Sequence, residues 1–138
     1  MKETLKPGIK YELAFKVPRS KTVPALYPES EEFVAMPEVF ATGFLVGLLE
    51  WTCIKAINGY LDWPKEQTVG THIDVSHEAA TPPGRDVTAS VELISVEGRK
   101  LVFLVEAHDG IDRISKGRHE RVLIEKAKFD AKVALKGI

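Results

Sequence analysis

The longest apolar stretch of the chain covers residues 37–61, PEVFATGFLVGLLEWTCIKAINGYL, and from residue 39 to 57 only Thr42, Glu50, Thr52 and Lys55 interrupt its apolar and small side chains. A segment apolar on nearly every side predicts a helix buried in the domain rather than one lying on its surface. The helix is expected to begin near Thr42 or a few residues earlier, with the Thr42 hydroxyl as an N-cap for a free backbone N–H. Asn58-Gly59 supplies its C-terminal stop. Gly43 and Gly47 stand four apart and would form a smooth groove, with Glu50 three residues beyond Gly47 on the same face.

Elsewhere the pattern alternates. In residues 10–17, KYELAFKV, the side chains of Tyr11, Leu13, Phe15 and Val17 fall on one face of a first strand. The alternation returns after Pro64 in residues 68–79, where Val69, Thr71, Ile73, Val75 and His77 share one face and Gly70, His72, Asp74, Ser76 and Glu78 the other. That parity turns His77 toward the helix, unless a bulge breaks the phase. Three more strands are predicted at 87–96, 100–107 and 113–125, with the hairpin signals Glu97-Gly98 and Asp109-Gly110 at their junctions. Strands joined this way form an antiparallel meander. One long helix with an antiparallel sheet of about five strands wrapped around it is an α+β domain, and residues 1–138 read as that single domain.

Two stretches fit neither period. Residues 18–36 carry Pro18, Pro24 and Pro28, which predicts a loop with room for one short turn of helix. The loop is unusually apolar through Val23, Leu26, Tyr27, Phe33 and Met36, so it is either a lid or binding wall or a cover packed over one end of the helix. The tail from residue 126 onward, KAKFDAKVALKGI, is too mixed to assign and either ends the last strand or frays.

Composition narrows the function classes. Hydrophobic residues make up 44% of the chain and charged residues 28%, an ordinary globular balance. With 19 basic against 20 acidic residues, nothing favours nucleic-acid or membrane binding. The single cysteine, Cys53, falls in the apolar helix and reads as an inert buried thiol, and a chain with one cysteine fits a reducing cytoplasm. The N-terminal residues show no continuous apolar signal-peptide core. A membrane-spanning reading of the long helix founders on Glu50, since a charge at mid-span costs about 2.5–3.5 kcal/mol on the insertion scale.

Glu50 is the sharpest chemical candidate. A buried carboxylate must be paired, protonated or facing a pocket, and each outcome marks it for acid–base work. The bland alternative is a salt bridge to Lys55 or Arg121. His77, turned to the same helix, would make an imidazole–carboxylate pair with it. Thr42 lies about two turns away and only roughly 80° round the axis, so its hydroxyl can share the groove. His72, His108 and His119 show no metal-ligand spacing, so no metal or cofactor is expected.

Taken together, SKTVPALYPES, PEVFATGFLVGLLEW, HEAATPPG, SVEGR, AHDGID and HERVLIEKAKF closely resemble the fluoroacetyl-CoA thioesterase family of hotdog-fold acyl-CoA thioesterases, over about residues 8–133. The resemblance implies a hotdog fold, an acyl-CoA substrate, and a homodimer whose two sheets join edge to edge. Thr42, Glu50 and His77 match the family's catalytic threonine, glutamate and histidine. Gly70 matches the glycine near the reacting carbonyl, and Arg121 a basic active-site position. Phe33 and Met36 fall in the substrate-facing lid, where Met36 stands in place of an aromatic residue of the fluoroacetyl-specific enzyme. Methionine is flexible and polarizable, so this lid shapes its pocket differently and the acyl group is left open. In this scheme Glu50 is nucleophile or general base, Thr42 orients it or the substrate, and His77 positions or deprotonates water. The competing readings are an acyl-CoA-binding hotdog module without hydrolysis and, third, a hotdog hydratase.

Overall fold

The computed structural model describes residues 1–137, so Ile138, the last residue of the tail, lies outside the described residues. In chain order the elements are β1 (Lys10–Lys16), α1 (Glu31–Val34), α2 (Thr42–Ile57), β2 (Glu66–Val75), β3 (Asp86–Glu97), β4 (Lys100–His108), β5 (Arg113–Glu125) and α3 (Lys126–Ala134). The strands form one antiparallel sheet in the order β1-β3-β4-β5-β2, curved around α2. This is the expected α+β arrangement with a meander at its centre.

The core follows from two matching periods. On α2, Leu45, Leu48, Leu49, Thr52, Cys53, Ala56 and Ile57 are buried, a stripe at three- and four-residue spacing. It packs on Val87, Ala89, Val91 and Leu93 of β3 and on Leu101, Phe103 and Val105 of β4, each at every second position. Each such leucine contributes about 1.5–3 kcal/mol by leaving water. Thr52 tolerates burial because its hydroxyl donates to the Leu48 carbonyl at 2.7 Å. Burial pushes the Cys53 thiol up to about 12, so it stays protonated.

The helix is buried on one side only, which corrects the sequence expectation. Thr42, Gly43, Gly47 and Trp51 are exposed, and Val46 and Glu50 are half-buried. A single curved sheet covers one face of a cylinder, and within this chain nothing covers the other. The expected groove also divides. Gly47 lies with Phe44 and Trp51 on the β1 side, whereas Glu50 lies with Val46 on the β2 side. Gly43 faces Leu26, whose methyl would stand 3.2 Å from an added Cβ, so the proline-rich loop does pack over the start of the helix.

That loop holds two short 3-10 turns and α1, with Ser30 accepting a hydrogen bond from the Phe33 amide as cap. Phe33 stacks on Tyr27 at 5.8 Å between ring centres, and Met36 is exposed beyond it. The tail folds as α3, which the sequence left unassigned. None of its residues is buried, so no apolar stripe announced it. A Lys126–Asp130 ion pair one turn apart supports it instead.

Asp109 ties the loops at one end of the sheet together. Its carboxylate accepts from Thr81 Oγ1 at 2.9 Å and from the Ile111 and Asp112 amides at 3.0 and 2.8 Å. The Thr81 carbonyl in turn accepts from the Phe40 amide at 2.8 Å, just ahead of α2. The β4–β5 turn thereby fixes where the helix begins relative to the segment after β2.

Strand β2 departs from the predicted residues 68–79 in phase and in length. Its pairing with β5 slips between Gly70 and His72, leaving Thr71 as the extra residue of a bulge, with its hydroxyl donating to the Glu120 carbonyl at 3.2 Å. Before the bulge Gly70, opposite Arg121, faces the helix; after it Ile73, opposite His119, does. The predicted face therefore holds for Ile73, Val75 and His77 and is reversed for Val69 and Gly70. Regular pairing ends at Val75, opposite Gly117. A Cβ on Gly117 would stand 2.0 Å from the Asp74 carbonyl oxygen, so only glycine lets the two backbones come this close. Gly117→Ala should push β2 away and cost roughly 1–3 kcal/mol, the usual range for overpacking. A wild-type denaturation midpoint in that variant would show that the strands do not need this approach.

Candidate active site

Arg121 sits on β5 with 3% of its side chain exposed and so must be compensated where it lies. Its Nε donates to Thr68 Oγ1 at 2.8 Å and its Nη2 to the Thr68 carbonyl at 2.7 Å. Its Nη1 donates to Glu50 Oε1 at 3.0 Å and to His119 Nε2 at 3.0 Å. The ion pair offered by the sequence as the bland account of Glu50 is thus present, with Arg121 rather than Lys55 as partner. Glu50 is nevertheless 38% exposed at the side chain, because only one of its oxygens is engaged. The carboxylate is pinned on its inner side and open on its outer side.

Gly70 makes that position possible. A Cβ there would lie 2.5 Å from Glu50 Oε1, 3.1 Å from the His119 ring and 3.4 Å from the Arg121 guanidinium. Glu50, Gly70 and His119 line one cleft of about 420 Å³ together with Val46 and Ile73. A larger recess of about 790 Å³ lies between Met1, Asp62 and Asp130, away from all of these groups.

His119 has no metal-ligand spacing in the sequence, so that criterion does not single it out. Its alternation with Arg121 on β5 was the available signal, since residues two apart on a strand share a face. The ring is buried and its chemistry is fixed. Nδ1 lies 2.7 Å from the His72 carbonyl, which can only accept, so Nδ1 carries the proton and Nε2 accepts from Arg121. Burial is the main force holding His119 below the usual histidine range; the neighbouring Arg121 charge adds to it and the His72 carbonyl opposes it.

Thr42 and His77 form a second group. Thr42 is the first residue of α2, not its cap; Ala41 holds that position, without a side-chain bond. The hydroxyl freed from capping lies 2.7 Å from His77 Nδ1. Burial also holds His77 below the usual range, outweighing a hydrogen bond with the Ala79 backbone that acts the other way, so the ring is neutral at pH 7. The expected imidazole beside Glu50 is therefore His119, at 3.8 Å, whereas His77 belongs with Thr42. Eight residues of helix separate the two groups, roughly 12 Å along the axis. Phe33 and Met36 are in neither group.

The two depressed histidines carry a pH signature. An unfolded chain takes up a proton near 6.5 that the folded rings refuse, so stability should fall as pH drops through 6.5 toward the folded values and be unaffected above it. His119→Gln removes one of the two contributions. Melting temperature followed from about pH 7.5 to about pH 5.5 should fall less steeply in that variant than in the wild type. Equal slopes would mean that His119 is charged in the fold.

Comparison with known proteins establishes the family and the fold. The fluoroacetyl-CoA-specific thioesterase family model matches residues 22–127. The fluoroacetyl-CoA thioesterase of Streptantibioticus cattleyicolor is 54% identical over 136 residues, covering 99% of this chain and 97% of that protein. A solved structure of a fluoroacetyl-CoA thioesterase superposes with a TM-score of 0.95 at 53% identity, covering 99% of this chain and 100% of that one. A Thermus thermophilus protein of the thioesterase superfamily superposes at 0.82 with 27% identity, covering 95% and 92% of the two chains. A hot-dog-like protein from Thermanaerovibrio acidaminovorans, 22% identical, shares the fold at a TM-score of 0.79 over 96% and 93%. The sheet wrapped on its helix is a hotdog fold, and the chain belongs to the fluoroacetyl-CoA-specific thioesterase family.

Proposed function

We propose that this thioester hydrolase acts on short-chain acyl-CoAs of the fluoroacetyl-CoA kind, releasing the free acid and CoA, with Glu50 as the working carboxylate. The observation that carries the assignment is the half-held carboxylate. Arg121 keeps Glu50 Oε1 at 3.0 Å and the open side of Glu50 fronts a cleft. Oε2 is then the oxygen that meets substrate. It removes a proton from a water attacking the thioester carbonyl, or itself attacks to give an anhydride that water opens. In both routes the C–S bond breaks and the CoA thiolate leaves to take up a proton.

The oxyanion that forms at the carbonyl needs donors at close range. A bulge leaves its extra residue outside the ladder, so the backbone around Gly70 and Thr71 is the natural source, and the absent side chain at Gly70 lets the Glu50 carboxylate lie close against that backbone. Thr42 and His77 orient substrate or water as a neutral pair. Phe33 and Met36 belong to the lid, where methionine gives a softer wall than an aromatic ring. We read the working unit as a homodimer, because β2 is an edge strand and the uncovered face of α2 lies beside it. A cytoplasmic setting suits both a CoA thioester and a lone buried cysteine.

Free-thiol release from acetyl-, fluoroacetyl- and longer acyl-CoAs tests the reading; binding without turnover of any of them would replace it with a non-catalytic acyl-CoA module. Glu50→Gln keeps an oxygen for Arg121 but removes the base, and turnover should fall roughly 10²–10⁴-fold. Wild-type turnover in that variant would end the proposed role. Met36→Phe should reorder the ranking among short acyl-CoAs, and an unchanged ranking would take the lid residue out of substrate selection.

A further inference from the structure

Two buried side-chain atoms among the described residues have no hydrogen-bond partner, His77 Nε2 and Ser115 Oγ. They are neighbours in register. Beyond Val75 opposite Gly117, the Ser76 amide donates to the Lys116 carbonyl at 3.0 Å and the Glu78 amide to the Ile114 carbonyl at 2.7 Å. His77 is therefore directly across from Ser115. Partners opposite one another in an antiparallel pair point to the same face, and a pair lacking mutual backbone bonds brings its side chains closest. Ser115 is fully buried and is flanked on its other side by Ala107 of β4. Each such atom calls for an explanation, and here the two lie on residues that stand opposite one another in register.

We propose that Ser115 is a positioning residue for His77. The inference rests on His77 working in the thioesterase site. Ser115 Oγ accepts the proton of Nε2, after a turn about its own Cα–Cβ bond or through one bridging water. The imidazole is thereby held as the Nε2–H tautomer, with Nδ1 bare and facing Thr42 Oγ1 at 2.7 Å. Thr42 then donates to the ring, so its oxygen lone pairs remain available to orient substrate or water. The groups facing the ring are neutral: Thr42 on α2, Ser115 on β5 and the Ala79 backbone, which opposes the effect of burial on the imidazole. Glu78 and Arg113 pair with each other at 3.1 Å on the opposite face, and the Asp109 carboxylate is engaged by Thr81 and its own turn.

The test uses full-length protein with ¹⁵N-labelled histidine. In the wild type the His77 nitrogens should report the Nε2–H tautomer. In Ser115→Ala the population should move toward Nδ1–H and the titration of His77 toward lower pH, since the cation also loses an acceptor. Turnover should fall roughly 3- to 10-fold, the worth of one neutral hydrogen bond, with KM within about twofold. Ser115→Gly should behave like Ser115→Ala. An unchanged tautomer and titration in both variants overturns the proposal, whatever happens to turnover. Full turnover in His77→Ala would instead remove the reading of the site on which it depends, and the spectra distinguish the two failures because they need no substrate.

Discussion

A guanidinium with almost no access to water dictates the chemistry of this domain. A buried guanidinium needs compensation on every side, and Arg121 has two contacts from Thr68, a lone pair from His119 and the carboxylate of Glu50. The carboxylate on the helix and the cation on the sheet therefore specify how α2 is docked as well as what the cleft can do. A carboxylate held through one oxygen by a buried partner loses rotamer freedom before any ligand arrives, while its second oxygen stays open to the cleft.

The second pair is placed by different means. Thr42 and His77 carry no charge at neutral pH, and their meeting depends on loops. Asp109 gathers Thr81 and the β4–β5 turn, Thr81 holds Phe40, and Phe40 leads into the helix. One half of the candidate site is thus fixed by electrostatics in a dry interior and the other by backbone hydrogen bonds at the end of the sheet. The AHDGID segment, which reads as a hairpin signal, also serves as the anchor of the helix start.

Much of the architecture was legible in the pattern of side chains. The alternations that end in Arg113–Glu125 and the apolar stripe of α2 record their burial directly, because burial selected them. What escaped the sequence did so for identifiable reasons. The bulge at Thr71 adds one residue without changing composition, so a parity argument carried through it assigned Gly70 and Val69 to the wrong faces. Thr42 looks like a cap because threonine caps often, and only the position of His77 shows where its hydroxyl goes. His119 carries no metal-ligand spacing and only its alternation with Arg121 marks it, and α3 has no buried face at all. The openness of the outer side of α2 was invisible, since one chain's sequence does not say which apolar face a partner covers.

The bulge has a consequence for how this strand can vary. Gly70 and His77 lie seven positions apart, an odd offset, so on a regular strand they would point to opposite sides. One unpaired residue between them acts as a half-turn of phase, and it lets a single strand serve both halves of the site. Loops around the sheet can lengthen or shorten without disturbing that relation. The count between Gly70 and His77 and the bulge must therefore change together: a deletion that kept the bulge would send either Gly70 or the imidazole to the far side of the sheet, whereas loss of Thr71 itself would leave a regular strand with both on one face.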